Sequence, residues 1–157
     1  MKKIPRLTLI GLALLTPQML CAKAPTVKIT VAGGAISGVL EITDPRALKA
    51  NPWSGGFTEF SRSALPPPQG LRYEVSIYVK LNGEVRKVYV VYYSPNALGG
   101  QGYLYFPGRG EEWYRLNVGA ILSGQEGTWQ RATSEWDAVL RAAIATAEAS
   151  QARLSSN

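Results

Sequence analysis

Apolar and polar residues alternate in the chain beyond residue 24, which is typical of a strand with one buried side. Val27, Ile29 and Val31 are separated by polar residues. A glycine pair at 33–34 then supplies a turn, and residues 36–42 are apolar enough to return as a second strand. The pattern predicts a β-hairpin at the start of the folded part.

A short helix is predicted after this hairpin. The Asp44 side chain can accept hydrogen bonds from free N–H groups at a helix start, and Pro45 suits the first helical position. Pro52 ends this helix, because proline cannot continue it. The proline-rich sequence LPPPQG at residues 65–70 predicts an extended loop.

The clearest element is a hairpin in LRYEVSIYVKLNGEVRKVYVVYYS, where Asn82-Gly83 separates two β-rich runs. A two-residue turn places Leu81 opposite Glu84 and fixes every other pair. On one side, which we expect in the core, the pairs are Ile77 with Val88, Val75 with Val90 and Tyr73 with Tyr92. On the other, more polar side they are Tyr78 with Lys87, Ser76 with Tyr89, Glu74 with Val91 and Arg72 with Tyr93.

A further hairpin is predicted in GYLYFPGRGEEWYRLNVG, with strands on both sides of the PGRG turn. Period-two alternation places one apolar set inward: Leu104, Phe106, Tyr114, Leu116 and Val118. Tyr103, Tyr105 and Trp113 then share the opposite face. Thus the alternation predicts a group of aromatic side chains away from the core.

The last element is an amphipathic helix that begins at a Thr133-Ser134 cap. Its apolar residues recur at helical spacing: Trp136, Val139, Leu140, Ala143, Ile144 and Ala147. The elements together predict an α+β fold, with an antiparallel β-sheet of about five or six strands and a C-terminal helix packed on one face.

The N-terminus has the pattern of an export signal. A basic start is followed by an apolar stretch at residues 7–20 and by the small-x-small sequence Ala22-Lys23-Ala24. We therefore predict a signal peptide at residues 1–24, a single globular domain at residues 25–157, and a periplasmic or secreted location. Two alternatives are an uncleaved signal and a lipid anchor at Cys21; a leucine directly before Cys21 disfavours the anchor.

Export changes the charge of the chain and therefore its expected partners. The 157 residues carry a net charge of +6, and loss of Lys2, Lys3, Arg6 and Lys23 leaves 13 basic and 11 acidic residues, a net charge of +2. A charge this small does not favour nucleic acid. Membrane attachment is expected only through Cys21 or an uncleaved signal.

The composition excludes several classes of catalytic site. There is no histidine, and Cys21, the only cysteine, lies in the predicted signal. Histidine-based triads, cysteine nucleophiles and imidazole or thiolate metal sites are therefore not expected, and no cofactor motif is present. The alternative enzymatic interpretation is a small hydrolase using a Glu/Asp pair, for which Glu111, Glu112 and Glu126 are candidates; glycoside hydrolysis needs two carboxylates about 5–10 Å apart.

The leading hypothesis is a non-catalytic envelope module that binds a polysaccharide or a protein partner. The candidate ligand-binding residues are Tyr78, Tyr89, Tyr93, Tyr103, Tyr105, Trp113, Arg109 and Arg115. Aromatic rings offer a large contact area, and the cations at their edge orient a ligand. Three alternatives compete: the C-terminal helix covers this face, Arg109 is only a solvated turn residue, or a sheet edge pairs with another chain in an assembly role.

Five segments stand in this order along the chain: LEITDP, NPWSGGF, RYEVSIYVK, GYLYFPGRGEEWYRLN, and EGTW followed by WD at residues 136–137. In this order they resemble a group of uncharacterised bacterial proteins, many exported or membrane-attached. The resemblance covers nearly all of residues 25–157. It implies one coherent exported domain and transfers no catalytic or ligand-binding residue.

Overall fold

The computed structural model describes residues 24–52, 70–120 and 126–156. The elements within these ranges are strands β1 (Thr26–Gly33) and β2 (Ile36–Ile42), helix α1 (Pro45–Lys49), strands β3 (Tyr73–Leu81), β4 (Glu84–Ser94) and β5 (Tyr103–Phe106), helix α2 (Tyr114–Ala120), strand β6 (Thr128–Arg131) and helix α3 (Ser134–Ser155). Nearly all of the predicted signal peptide, at residues 1–23, and the prolines at 66–68 lie outside the described residues.

The strands form one antiparallel sheet in the order β2-β1-β3-β4-β5-β6. Helix α3 packs on one face of this sheet, so the predicted α+β class is confirmed. The predicted caps are also confirmed: the Asp44 carboxylate accepts from the Arg46 N–H at the start of α1, and the Thr133 hydroxyl accepts from the Trp136 N–H at the start of α3.

The main core lies between the sheet and α3. Strand residues that point to this face are buried together with the apolar stripe of the helix; they include Ile29, Val31, Tyr73, Val75, Ile77, Val91, Tyr93, Leu104, Trp136, Leu140 and Ile144. Helix α3 spans 22 residues, yet no helix in the described ranges is both long and apolar enough to cross a membrane. The helix is instead held to the sheet by its buried stripe.

A β-bulge in the β3–β4 hairpin overturns the predicted register beyond the turn. The pairing follows the prediction from Leu81 with Glu84 as far as Tyr78 with Lys87, and then shifts by one residue, so that Ile77 pairs with Tyr89. A shift of one residue moves every following side chain to the opposite face. The remaining pairs on the α3 side are Val75 with Val91 and Tyr73 with Tyr93, while Val90 and Tyr92 point away from α3. Val88, the extra residue of the bulge, packs in the main core.

The predicted strand at residues 113–118 is wrong, because this segment forms helix α2. The partner of β5 is β6, in which Trp129 pairs with Tyr105. Val118, expected to point inward, is 40% exposed. The Asn117 amide on α2 accepts from the Val90 N–H at 2.8 Å and donates to the Val90 carbonyl at 2.6 Å. Asn117 thereby provides hydrogen-bond partners for the Val90 N–H and carbonyl, in a part of β4 that β5 is too short to pair with.

Two tyrosine hydroxyls anchor α3 across the sheet face that it covers. The Tyr73 hydroxyl donates to Glu148 at 2.6 Å, and the Tyr93 hydroxyl donates to Asp137 at 2.7 Å. Burial, followed by the hydrogen bond to Glu148, raises the pKa of Tyr73 from 10.0 to about 12. Burial, with Asp137 as the second cause, also raises the pKa of Tyr93. Both phenols therefore favour the protonated state in the folded protein.

We expect the free energy of unfolding to fall as the pH rises from 10.0 toward about 12. The folded pKa lies above the unfolded one, so the stabilisation is complete below pH 10.0 and is lost as the phenols ionise. Urea unfolding at about pH 8 and about pH 11 would measure this loss. A Tyr73→Phe variant, which lacks one of these groups, should lose less stability over the interval; an unchanged pH dependence would show that Tyr73 does not contribute.

Candidate functional site

Six aromatic side chains lie on the side of the sheet opposite α3, and we call this surface the aromatic face: Tyr78, Tyr92, Tyr103, Tyr105, Trp113 and Trp129. It exists because neighbouring residues of a strand point to opposite faces. On β5, Leu104 and Phe106 are buried in the main core, so Tyr103 and Tyr105 point the other way. Both tyrosines are half-buried.

Three rings of the aromatic face form a row across neighbouring strands. Tyr92 on β4, Tyr105 on β5 and Trp129 on β6 occupy paired positions in the register. The ring centroids of Tyr92 and Tyr105 are 6.4 Å apart, and those of Tyr105 and Trp129 are 5.0 Å apart. Cross-strand aromatic pairs at these distances stabilise one another and hold the rings in fixed orientations.

Cationic side chains lie over four of the rings. The closest pairs are Lys87 with Trp113 and Arg131 with Tyr103, both 4.2 Å from the ring centroid. Lys28 lies 4.8 Å from the centroid of Tyr78, and Arg72 lies 5.1 Å from that of Trp129. Cations at these distances are attracted by the negative face of the ring. The aromatic face therefore carries positive charge along its length.

Among the described residues, three of these four cations have no acidic partner within ion-pair distance. Lys28 pairs with Glu41 at 3.3 Å. Arg72, Lys87 and Arg131 make no ion pair with any residue in the part of the chain that the structure describes. Their N–H groups are consequently available to a ligand, apart from the one that Arg131 donates to the Gln101 carbonyl at 2.9 Å.

Trp113 is held across the aromatic face by contacts at two points. Its indole N–H donates to Glu74 at 3.0 Å, and its ring lies beneath the Lys87 ammonium group. The backbone of Trp113 has φ of +68°, a left-handed conformation that is uncommon for a large side chain. Such a conformation persists when surrounding contacts determine it. Here the contacts with Glu74 and Lys87 fix the indole over the sheet.

The loop after β5 is braced by Glu111. Its carboxylate accepts from the Gly108 N–H and from the Tyr105 hydroxyl, the latter at 2.9 Å. The Glu111 carboxylate therefore orients a ring of the aromatic face. Arg109 is exposed in the same loop and makes no hydrogen bond or ion pair with a described residue.

The structure places the predicted site residues in three groups. Tyr78, Tyr103, Tyr105 and Trp113 lie on the aromatic face. Arg109 and Arg115 are exposed, the first in the loop after β5 and the second on α2. The third group is Tyr89 and Tyr93, which point to the α3 side of the sheet.

The prediction that Tyr89 and Tyr93 belong to the aromatic face is wrong. Both follow the β-bulge and therefore point to the α3 side. Tyr93 is fully buried there, with its ring edge-on to Trp136 at 5.6 Å. Tyr89 packs against the main core, and burial raises the pKa of its hydroxyl. The alternative in which α3 covers the predicted face thus holds for these two tyrosines and not for Tyr103, Tyr105 or Trp113.

Two rings of the aromatic face, those of Tyr92 and Trp129, were not predicted from the sequence. Tyr92 was assigned to the core because the bulge was not foreseen. Trp129 lies two residues after Gly127 in GTWQR, where alternation over four residues was the only available signal for a strand. Trp129 pairs with Tyr105 because β6 lies beside β5 in the sheet, and the sequence alone does not show that strand order.

Beside the row of rings lies a depression of about 330 Å³, lined by Ala32, Gly33, Arg72, Glu74 and Tyr92. A larger groove of about 620 Å³ lies between β2 and α3, and its helical wall is formed mainly by small residues such as Ala138, Ala142 and Ala143. Within the described ranges, no three His, Cys, Asp or Glu side chains are grouped as a metal site.

Comparison of the chain with protein-family models, with curated proteins and with solved structures finds no match in any of the three. The resemblance suggested by the sequence phrases therefore stays a prediction.

Proposed function

We propose that this protein is an exported, non-catalytic module that binds a polysaccharide of the cell envelope through the aromatic face. The observation that carries the proposal is the row formed by Tyr92, Tyr105 and the buried Trp129, with Arg72 over the Trp129 ring and in no ion pair with a described residue. The N-terminal signal pattern supports export, and the envelope is then the compartment in which a ligand is met.

The chemistry of the exposed groups favours a sugar polymer over a protein. One side of a pyranose ring presents C–H groups, which are attracted by the negative face of an aromatic ring. The hydroxyls at the edge of the pyranose can then form hydrogen bonds with charged groups such as Arg72 and Glu74. A protein partner would instead be favoured by exposed aliphatic side chains between the rings. On this side of the sheet Val39 on β2 and Val85 near the β3–β4 turn are exposed, and neither lies between the rings of the row.

The acidic groups at the aromatic face support binding more than hydrolysis. Glu111 accepts from the Gly108 N–H and the Tyr105 hydroxyl, and Glu74 accepts from the Trp113 indole N–H. A glycosidase needs one carboxyl group to protonate the leaving oxygen and a second to act as base or nucleophile. Here both carboxylates position aromatic rings, which is the arrangement that a binding surface requires.

The proposal predicts that a Tyr103→Ala/Trp113→Ala variant binds envelope polysaccharide at least about tenfold more weakly, because it loses two ring contacts. The measurement is capture by the tagged full chain from the source organism's envelope fraction. One portion of the fraction is untreated, one is treated with protease, and one is oxidised with periodate, which cleaves vicinal diols. We expect retained glycan that survives protease treatment and disappears after periodate.

The control is Leu98→Ala, which changes a residue that is 98% exposed and lies in the loop before β5. It should retain as much glycan as the original chain, and all variants must show the same circular dichroism. If retention is abolished by protease and unaffected by periodate, the ligand is a protein and the polysaccharide proposal is wrong. Equal retention by the folded double variant would show that Tyr103 and Trp113 are not part of the binding surface.

A further inference from the structure

The depression beside the aromatic row has the dimensions of a site for one small molecule. Ala32 and Gly33 on β1 lie opposite Glu74 and Tyr73 on β3, so two very small residues leave space next to longer side chains. The resulting volume of about 330 Å³ lies near the lower end of the range of about 300–1,000 Å³ that is typical of ligand sites. One monosaccharide unit is therefore a closer match than a longer segment.

Three polar groups line this depression with hydrogen-bonding capacity to spare. One oxygen of Glu74 accepts from Trp113, and its second oxygen accepts no hydrogen bond from the residues the structure describes. The Tyr92 hydroxyl also makes no hydrogen bond within that part of the chain. Arg72 rests on the Trp129 ring with its N–H groups outside any ion pair. The site thus offers an acceptor, a hydroxyl that can donate and accept, and a planar donor.

The charges around the depression favour a neutral ligand. An anion would meet Glu74, and burial, followed by the negative charges of Glu74, Glu112 and Glu111, raises the pKa of Tyr92. A cation would meet Arg72. A neutral polyol avoids both repulsions, and two adjacent hydroxyls can donate to the carboxylate while accepting from the guanidinium.

From this arrangement we propose that Arg72, Glu74 and Tyr92 form a subsite for one neutral pyranose unit, bound through vicinal hydroxyls. This inference rests on the proposed polysaccharide function and specifies where one unit of the polymer is recognised. Glu74 has a second role, because it also positions Trp113, so the carboxylate links the subsite to the rest of the aromatic face.

The test is a titration of the full chain with neutral methyl pyranosides, followed by tryptophan fluorescence and by saturation-transfer NMR. We expect at least one pyranoside to bind with Kd on the order of 1–10 mM, which suits a ligand of this size. Glu74→Gln should weaken that binding about tenfold or more, and Tyr92→Phe should weaken it several-fold, because each removes a hydrogen bond to a hydroxyl. The deoxy analogue lacking one vicinal hydroxyl should bind as weakly to the original chain as the pyranoside binds to the variants.

The matched control is Glu84→Gln, which makes the same chemical change in an exposed carboxylate at the β3–β4 turn, outside the depression, and should leave pyranoside binding within about twofold. Absence of saturation transfer from every neutral pyranoside, or equal binding by a folded Glu74→Gln variant, would overturn the subsite. Tighter binding of a methyl uronide than of its neutral counterpart would also overturn it.

The outcomes separate the subsite from the broader proposal. If envelope glycan is captured and no pyranoside binds, the subsite fails while the polysaccharide function stands. If a pyranoside binds through Glu74 and no glycan is captured, the subsite stands and the polysaccharide function fails.

Discussion

Replacing Trp136 with alanine is expected to lower the free energy of unfolding by about 3–5 kcal/mol, the range for removing a buried tryptophan. Trp136 is 1% exposed and lies in the first turn of α3. Its indole meets Tyr93 edge-on at 5.6 Å, so the variant leaves a cavity beside a second large ring. Urea unfolding monitored by circular dichroism measures the loss.

The control for Trp136 is Leu154→Ala on the same helix, at a position that is 78% exposed. A change there should alter the free energy of unfolding by less than about 0.5 kcal/mol. A loss below about 1 kcal/mol for Trp136→Ala would show that the apolar stripe of α3 is not the main attachment of the helix to the sheet.

Replacing Asp137 with alanine is expected to destabilise the protein by about 2–5 kcal/mol, because it removes a buried carboxylate that accepts from two buried donors. One carboxylate oxygen accepts from the Tyr93 hydroxyl at 2.7 Å and from the Gly102 N–H at 2.9 Å. The other accepts from Arg141 at 2.7 Å. Alanine leaves buried donors on the sheet without a partner, and their desolvation is then uncompensated.

Tyr93→Phe is the comparison for Asp137. It removes one of the hydrogen bonds to the carboxylate and should cost about 1 kcal/mol. The same urea unfolding measurement applies to both variants. If Asp137→Ala were no more destabilising than Tyr93→Phe, the bonds to Gly102 and Arg141 would contribute nothing measurable.

Asp137 also connects the stability of α3 with the position of the aromatic face. Gly102 directly precedes β5, and Arg141 donates to the Gly100 carbonyl at 2.6 Å in the same loop. These contacts fix the start of the strand that carries Tyr103 and Tyr105. Variants that loosen this loop should therefore weaken ligand binding even though they lie on the opposite side of the sheet.

Much of the candidate site was predictable where a strand has one clearly apolar side. On β5, the alternation of Tyr103, Leu104, Tyr105 and Phe106 correctly separated the buried pair from the half-buried pair on the opposite face. The predicted side of the sheet was correct for Trp113, although the prediction assumed a strand and Trp113 in fact directly precedes helix α2. Its position follows from contacts with Glu74 and Lys87 on distant strands, which no local pattern contains.

Helix α2 shows why short segments are ambiguous. The sequence YRLNV alternates over five residues, a length at which a strand and one turn of helix have similar apolar patterns. The hydrogen bonds from Asn117 to the Val90 backbone are made only when the segment is helical and lies against β4. A tertiary contact therefore selects the local structure.

The sequence by itself determined the strands β1 to β5, the capped helix α3 and the α+β class, because local periodicity and capping chemistry are properties of neighbouring residues. Only the tertiary structure decided which tyrosines of β4 belong to the aromatic face. In VYVVYY of β4 both alternating sets are apolar, so alternation does not distinguish the two registers. The bulge after Lys87 places Tyr93 against Trp136 and Asp137 and leaves Tyr92 beside Tyr105, because contacts with α3 and β5 stabilise that register.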